Sequence, residues 1–519
     1  MQFNIDYLKP LYGELAIDGL ENIKISFKDG KTSFKDVGVE LKESKYGVDL
    51  LLTAKESLIS HLYLFYEFKH ERDLKVFGDS LERGYADMAW RNIDEPRQMF
   101  WYFFVNDQKK KELSSYGVSV QPNTIVSFRI IDNFLRVDIN TQSGGSGVNL
   151  EGRVLKAATF VQKEAKYDSL FASCRDFVKL LMGDVKKVEL KEPVYGFNNW
   201  YYAYGDSSYE QILADTKLLQ EVTKDISVRP FMVIDDGWQL NHCAGPWVPN
   251  PLYKDMKVLA SEIKKLGIKP GLWFRPLYEA SYISRGHNHP YNLLFLDPTD
   301  EFTLNRISDD IKRFVDWGFE LIKFDYVTYD MFYRYAYQMD DNLTDQGWRY
   351  KDNHFTNAEI ILKLYRTIRE AAGDKAILIG CDTFSHLCAG ITELNRTGDD
   401  ISGRDWDRTV RYGVNSLAFR IMQNDIFYKI DGDCVGHMGL IDWKKNREWL
   451  YALAYSNSPL FISCDPTKAT PEIKEDLKKA LKINLEHHTL EPINWMENPL
   501  PNEWLIDGHK VEFDWNKNK

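Results

Sequence analysis

EFTLNRISDDIKRFVDWGFELIKFD, residues 301–325, contains one complete helix–glycine–strand unit. Ile307, Ile311 and Phe314 recur at helical spacing over 302–317, Gly318 stops the helix, and FELIKFD follows as an apolar run. The same order occurs at 252–266, where Met256, Leu259, Ile263 and Leu266 form a stripe before Gly267 and IKPGLWF. It occurs again at 356–372, where Ile361, Leu364 and Ile368 precede Gly373 and AILIGC. Repetition of this kind predicts β/α units around a parallel sheet. Working outward, eight strands are expected: VYGFNNW (194–200), PFMVIDDG (230–237), PGLWFRP (270–276), LIKFDYV (321–327), AILIGCD (376–382), GITELNRTGDD (390–400), IFYKIDGDC (426–434) and PLFISCD (459–465). A last helix, 471–485, has Thr470 as its cap and Pro471 at its first position. The expected fold is α/β, a (β/α)8 TIM barrel over 186–488.

Before the barrel, residues 1–185 are rich in short aromatic and β-branched runs such as LYLFYEF (62–68), MFWYFFVND (99–107) and TIVSFRIID (124–132). They predict an N-terminal β-sandwich domain. SGGSG (143–147) lacks a following Lys and opens no helix, so it reads as a loop and not as a phosphate cradle. After the barrel, 489–519 reads as a short C-terminal β-hairpin extension, with Asp507-Gly508 between two apolar runs.

The 519-residue chain has a net charge of -11, which argues against nucleic acid and anionic membranes as partners. No run of 18 apolar residues is present. MQFNIDYLKPLYGEL has no basic stretch and no apolar run of the kind a secretory leader carries. The six cysteines form no CxxC pair and read as free thiols. The expected location is therefore cytoplasmic.

In such a barrel the functional rim lies at the C-terminal strand ends. Those ends carry Asn198, Asn199 and Trp200; Asp235, Asp236 and Trp238; Trp273 and Arg275; Lys323 and Asp325; Cys381 and Asp382; Arg396, Asp399 and Asp400; Asp431 and Asp433; and Cys464 and Asp465. Any one has an ordinary structural explanation, as a helix cap or a packed ring. Together they make a charged pocket with aromatic walls, suited to a sugar. No metal and no other cofactor is expected: no HExxH occurs, and Lys323 and Arg275 would repel a cation.

Cleavage of a glycosidic bond uses two carboxyl groups, one ionised and one protonated. Lys323 and Asp325, two apart on a strand, point the same way, and the cation favours the carboxylate. Asp325 therefore reads as a nucleophile. The partner is expected in a more anionic setting, which Asp399 and Asp400 offer; the residues alone do not choose between them.

IDDGW, GLWF, LIKFD and RTGDD, in that order, resemble the retaining α-galactosidases of glycoside hydrolase family 36, with family 27 as the neighbouring group. The resemblance covers residues 194–466, and an N-terminal β-domain suits family 36 better. It implies that Asp325 is the nucleophile and Asp400 the acid/base, that Asp235, Asp236 and Lys323 hold sugar hydroxyls, that Trp200 forms a wall, and that Arg396 binds substrate. It also implies double displacement on a terminal α-galactoside, or a relative such as an α-N-acetylgalactosaminide, and a homo-oligomer. A raffinose-synthase-like galactosyl transferase and a non-catalytic carbohydrate-binding protein are the alternatives. The chain departs from family 36 at Arg275, where Glu is common, and at CDTFSHLCAG, where a Gly-rich segment is common. Trp273, Arg275, Cys381 and Asp382 are therefore expected to shape the choice of sugar.

Overall fold

The computed structural model describes residues 4–70, 73–95 and 97–516. Residues 1–3 and 517–519, the outer ends of the first and last expected domains, lie outside them.

The eight expected strands are present as a parallel barrel: Tyr195–Asn198, Phe231–Ile234, Lys269–Phe274, Leu321–Phe324, Ile377–Gly380, Leu394–Arg396, Lys429–Asp431 with Cys434–His437, and Leu460–Cys464. The seventh strand is broken at Gly432-Asp433. Its first half pairs with the sixth strand and its second half with the eighth, and so closes the ring. Nearly every residue of these strands is buried, as expected for a sheet covered on both faces. The helices begin on side-chain caps. Asp255 caps Met256–Lys265, Asp300 caps Glu301–Trp317, and Thr356 forms a capping box with Glu359 at the start of Asn357–Ala372. Gly318 ends its helix at φ 102°, where its N–H donates to the Phe314 and Val315 carbonyls.

The N-terminal region is two-layered, but from one continuous antiparallel sheet of 14 strands rather than two separate sheets. Its end strands, Ile23–Ile25 and Lys31–Phe34, follow each other in the chain, so the sheet curls until it almost closes. Tyr7 stacks on Phe160 and meets Tyr66 edge-on, joining strands that are five places apart in the sheet. The C-terminal extension is a three-stranded sheet, Leu490–Pro492, Glu503–Ile506 and His509–Glu512. The expected hairpin is its second half, and Trp495 wedges it against Phe77, Trp90 and Phe419.

The two large parts are locked together. The 143–147 loop is a docking element: Gly145 donates to the Trp348 carbonyl, and a Cβ there would meet the Asp345 carbonyl oxygen at 2.0 Å. Arg420 is fully buried. Its guanidinium donates to Asp79 (3.0 Å), the Ser80 carbonyl (2.9 Å) and the Thr397 carbonyl (3.1 Å). It thereby ties the 79–84 loop to the end of the sixth barrel strand. Arg420→Met removes one partner of a buried ion pair and is expected to destabilise the protein by about 3–5 kcal/mol. Denaturant unfolding checks this, and a loss within measurement error would mean that Asp79 is satisfied by Gln423 and Trp101 alone.

Candidate active site

The fourth strand delivers Lys323 and Asp325 to the rim, both buried. Lys323 Nζ does not reach its neighbour first. It donates to Asp235 Oδ2 at 2.7 Å, an oxygen that also accepts from Asn198 Nδ2 at 2.6 Å. The Asp235 N–H is held by Asn199 Oδ1. Strands one, two and four are thus cross-linked at their ends.

Asp325 is fixed by two hydrogen bonds: Trp273 Nε1 donates to Oδ2 at 3.0 Å, and the Tyr326 N–H donates to Oδ1 at 2.8 Å. Burial pushes this carboxyl up, but Lys323, Arg83 and the two hydrogen bonds outweigh it and hold Asp325 below its ordinary value. The expected Lys–Asp coupling is therefore present, acting over distance while Lys323 itself is paired with Asp235.

Arg83 is the site residue that the sequence did not reveal. It comes from the N-terminal domain, in the loop that Arg420 anchors. Gly84 pairs with the sixth-strand loop: its N–H donates to the Thr397 carbonyl, and its carbonyl accepts from the Asp399 N–H. This approach places the almost buried Arg83 guanidinium 3.4 Å from Asp400, 3.5 Å from Asp399 and 3.9 Å from Asp382. No spacing in SLERGY (80–85) links it to the barrel, because the link is made only by the docking of two domains.

Asp400 was expected in an anionic setting, with Asp399 as its neighbouring like charge. The structure corrects this. Asp399 is paired with Arg408 at 2.9 Å, and Asp400 lies 3.3 Å from Arg396 as well as beside Arg83. The anionic crowding lies one step away, at Asp433. Burial raises Asp433 to about 6; Arg396 at 2.9 Å opposes this, and Asp400 and Asp431 add to it. Tyr201 donates its hydroxyl to Asp433. The Asp400 side chain is 39% exposed, against 18% for Asp399, 4% for Asp235 and 2% for Asp433, so of these four carboxylates it is the most open to water.

The remaining candidates divide. Trp200 opens the short helix Trp200–Ala203 and is half-buried beside Tyr204. Asp236 Oδ1 accepts from Gln239 Nε2 and from the Cys243 N–H. Cys381 is buried next to Asp325, and burial pushes its thiol up. Asp382 is buried at φ 54°, with neither carboxylate oxygen hydrogen-bonded within the protein. Arg275 is engaged elsewhere. It makes a two-pronged pair with Asp330 and lies 4.1 Å from the Tyr326 ring centre, so it braces the segment after Asp325. His287-Asn288-His289 has a metal-like spacing but splits: His287 pairs with Asp300, and His289 faces the Met331 carbonyl.

No protein-family model and no curated protein sequence matches the chain. Solved structures do. An α-galactosidase from Thermus thermophilus, in complex with p-nitrophenyl α-D-galactopyranoside, superposes with a TM-score of 0.62 at 16% identity, over 96% of this chain and 99% of that one. The chain has the fold of the family 36 α-galactosidases. The family 36 enzyme AgaA from Geobacillus stearothermophilus is similar as well, with a TM-score of 0.64 at 14% identity over 96% of this chain and 79% of its own. The likeness spans the N-terminal β-domain as well as the barrel, so the resemblance drawn from residues 194–466 extends to the whole architecture.

Proposed function

We propose that this protein is a retaining exo-α-galactosidase, with Asp325 as nucleophile and Asp400 as general acid and base. The observation that carries this reading is the contrast between the two carboxyls. Asp325 is buried, held by two hydrogen bonds and favoured in its ionised form by Lys323 and Arg83, which suits attack on an anomeric carbon. Asp400 is open to water, which suits a group that protonates a departing oxygen and later takes a proton from water. Asp235, Lys323 and Asp236 are the candidates for holding sugar hydroxyls, and Trp200 offers a ring face to the apolar side of a pyranose. Arg83 joins them from the N-terminal domain as the cation shared by both catalytic carboxyls.

In the first step Asp325 displaces the aglycone and Asp400 gives it a proton. In the second, Asp400 takes a proton from water, which releases the sugar with its original configuration. Hydrolysis of 4-nitrophenyl α-D-galactopyranoside, followed by proton NMR, tests the reading: α-galactose should form first. A β-first product would exclude retention, and no hydrolysis of any α-galactoside would sink the assignment.

The same assay reads the role of Lys323. Its charge lowers the Asp325 carboxyl, so the acidic limb of kcat/KM should shift to higher pH in Lys323→Met, because Asp325 then protonates more readily. An unmoved limb would leave Lys323 as a binding residue only.

A further inference from the structure

The second barrel strand runs into a hairpin, Gln239–Asn241 and Ala244–Pro249, joined by the two-residue turn His242-Cys243. Such turns favour Asn, Asp and Gly. Here Cys243 sits in the left-handed region at φ 46°, an uncommon choice for a residue with a side chain. The turn folds back over Asp236, whose Oδ1 is occupied by the Gln239 and Cys243 hydrogen bonds. Oδ2 is left facing His242 Nδ1 at 3.9 Å, and that nitrogen is 3.1 Å from Cys243 Sγ. All three donor atoms lie within 4.8 Å of one another.

We propose that Asp236 Oδ2, His242 Nδ1 and Cys243 Sγ form a three-donor site for Zn2+ or a cation of similar softness, and that its occupation blocks the substrate pocket. Imidazole, thiolate and carboxylate are the ordinary zinc donors, and around a tetrahedral zinc they stand about 3.3–3.7 Å apart. The observed 3.1 and 3.9 Å bracket that range and can be evened by rotation of the exposed His242 ring, while the carboxylate and thiol lie within 4.8 Å of each other. Water would complete the shell. The sequence argued against a metal because Lys323 and Arg275 would repel it. The structure lifts that objection for Lys323, which is paired with Asp235; Arg275 is neutralised by Asp330 but also lies against the Cys243 thiol, where it favours the thiolate that a cation would bind. Among the described residues no Lys or Arg pairs with Asp236, so one negative charge remains for the cation. Burial raises the Cys243 thiol to about 11, and coordination releases its proton to water.

The block rests on the proposed role of Asp236 in holding substrate; the metal site does not. The test uses the full chain with zinc chloride against a chromogenic chelator, and Co2+ as a spectroscopic probe. The wild type should bind one equivalent of Zn2+, and its Co2+ form should show a thiolate charge-transfer band in the near ultraviolet. His242→Ala and Cys243→Ala should each weaken binding by at least about tenfold, and Cys243→Ala should lose the band. Equal binding by wild type and both variants would overturn the site. Zn2+ should also raise KM for the nitrophenyl galactoside in the wild type and not in Cys243→Ala. Zinc that binds through these residues without slowing hydrolysis would keep the metal site and overturn the blocking of the pocket.

Discussion

Asp325→Ala is expected to lower kcat by on the order of 10^4-fold or more, because the attacking group itself is removed. The fold should survive. Lys323 keeps its pair with Asp235, and the segment after Asp325 is still braced by Arg275 on Asp330. The truncation opens a small space lined by Trp273 Nε1 and the Tyr326 N–H, two donors suited to an anion. Added azide should enter it and attack a nitrophenyl galactoside from the face that Asp325 used, giving β-galactosyl azide. Thin-layer chromatography and mass spectrometry of the product check this. A variant that keeps wild-type turnover would exclude Asp325 as nucleophile.

Asp400→Ala should show a loss that depends on the leaving group. A sugar or alkyl aglycone departs as a poor anion and needs its proton, so kcat should fall by about 10^2–10^4-fold. Nitrophenolate needs none, so nitrophenyl galactoside should lose far less in the first step. Asp399 keeps its pairs with Arg408 and Arg83, and Arg396 keeps Asp431 and Asp433, so the 396–400 segment stays fixed, which separates a proton-transfer defect from a collapse of the loop. Equal losses on raffinose and on the nitrophenyl substrate would reduce Asp400 to a binding residue.

The barrel was legible because its grammar is local. Three helices end at a glycine with positive φ, Gly267, Gly318 and Gly373, and a strand follows each within a few residues. The rim was legible because barrel geometry sends every strand end to one face. What depended on distant pieces of chain was not. Arg83 enters through the Gly84 bridge to Thr397 and Asp399, and nothing near residue 83 encodes that meeting. The ionic setting of Asp400 was misread for the same reason: Asp399 is adjacent in sequence, while Arg83 and Arg396 decide the local charge. Arg275 was placed correctly at a strand end, but its engagement with Asp330 depends on the short helix Val327–Phe332 folding back over the rim. The third C-terminal strand, Leu490–Pro492, is three residues long and ends in proline, too weak a pattern to register.

Covalent trapping tests the central claim most directly. A fluorinated α-galactosyl fluoride, which forms the glycosyl-enzyme faster than water releases it, should add one fluorogalactosyl mass to the peptide that contains Asp325, and to no other. Label on Asp400 or on another carboxylate, or turnover of the reagent with no adduct on Asp325→Asn and wild type alike, would contradict the assignment of Asp325 as the nucleophile.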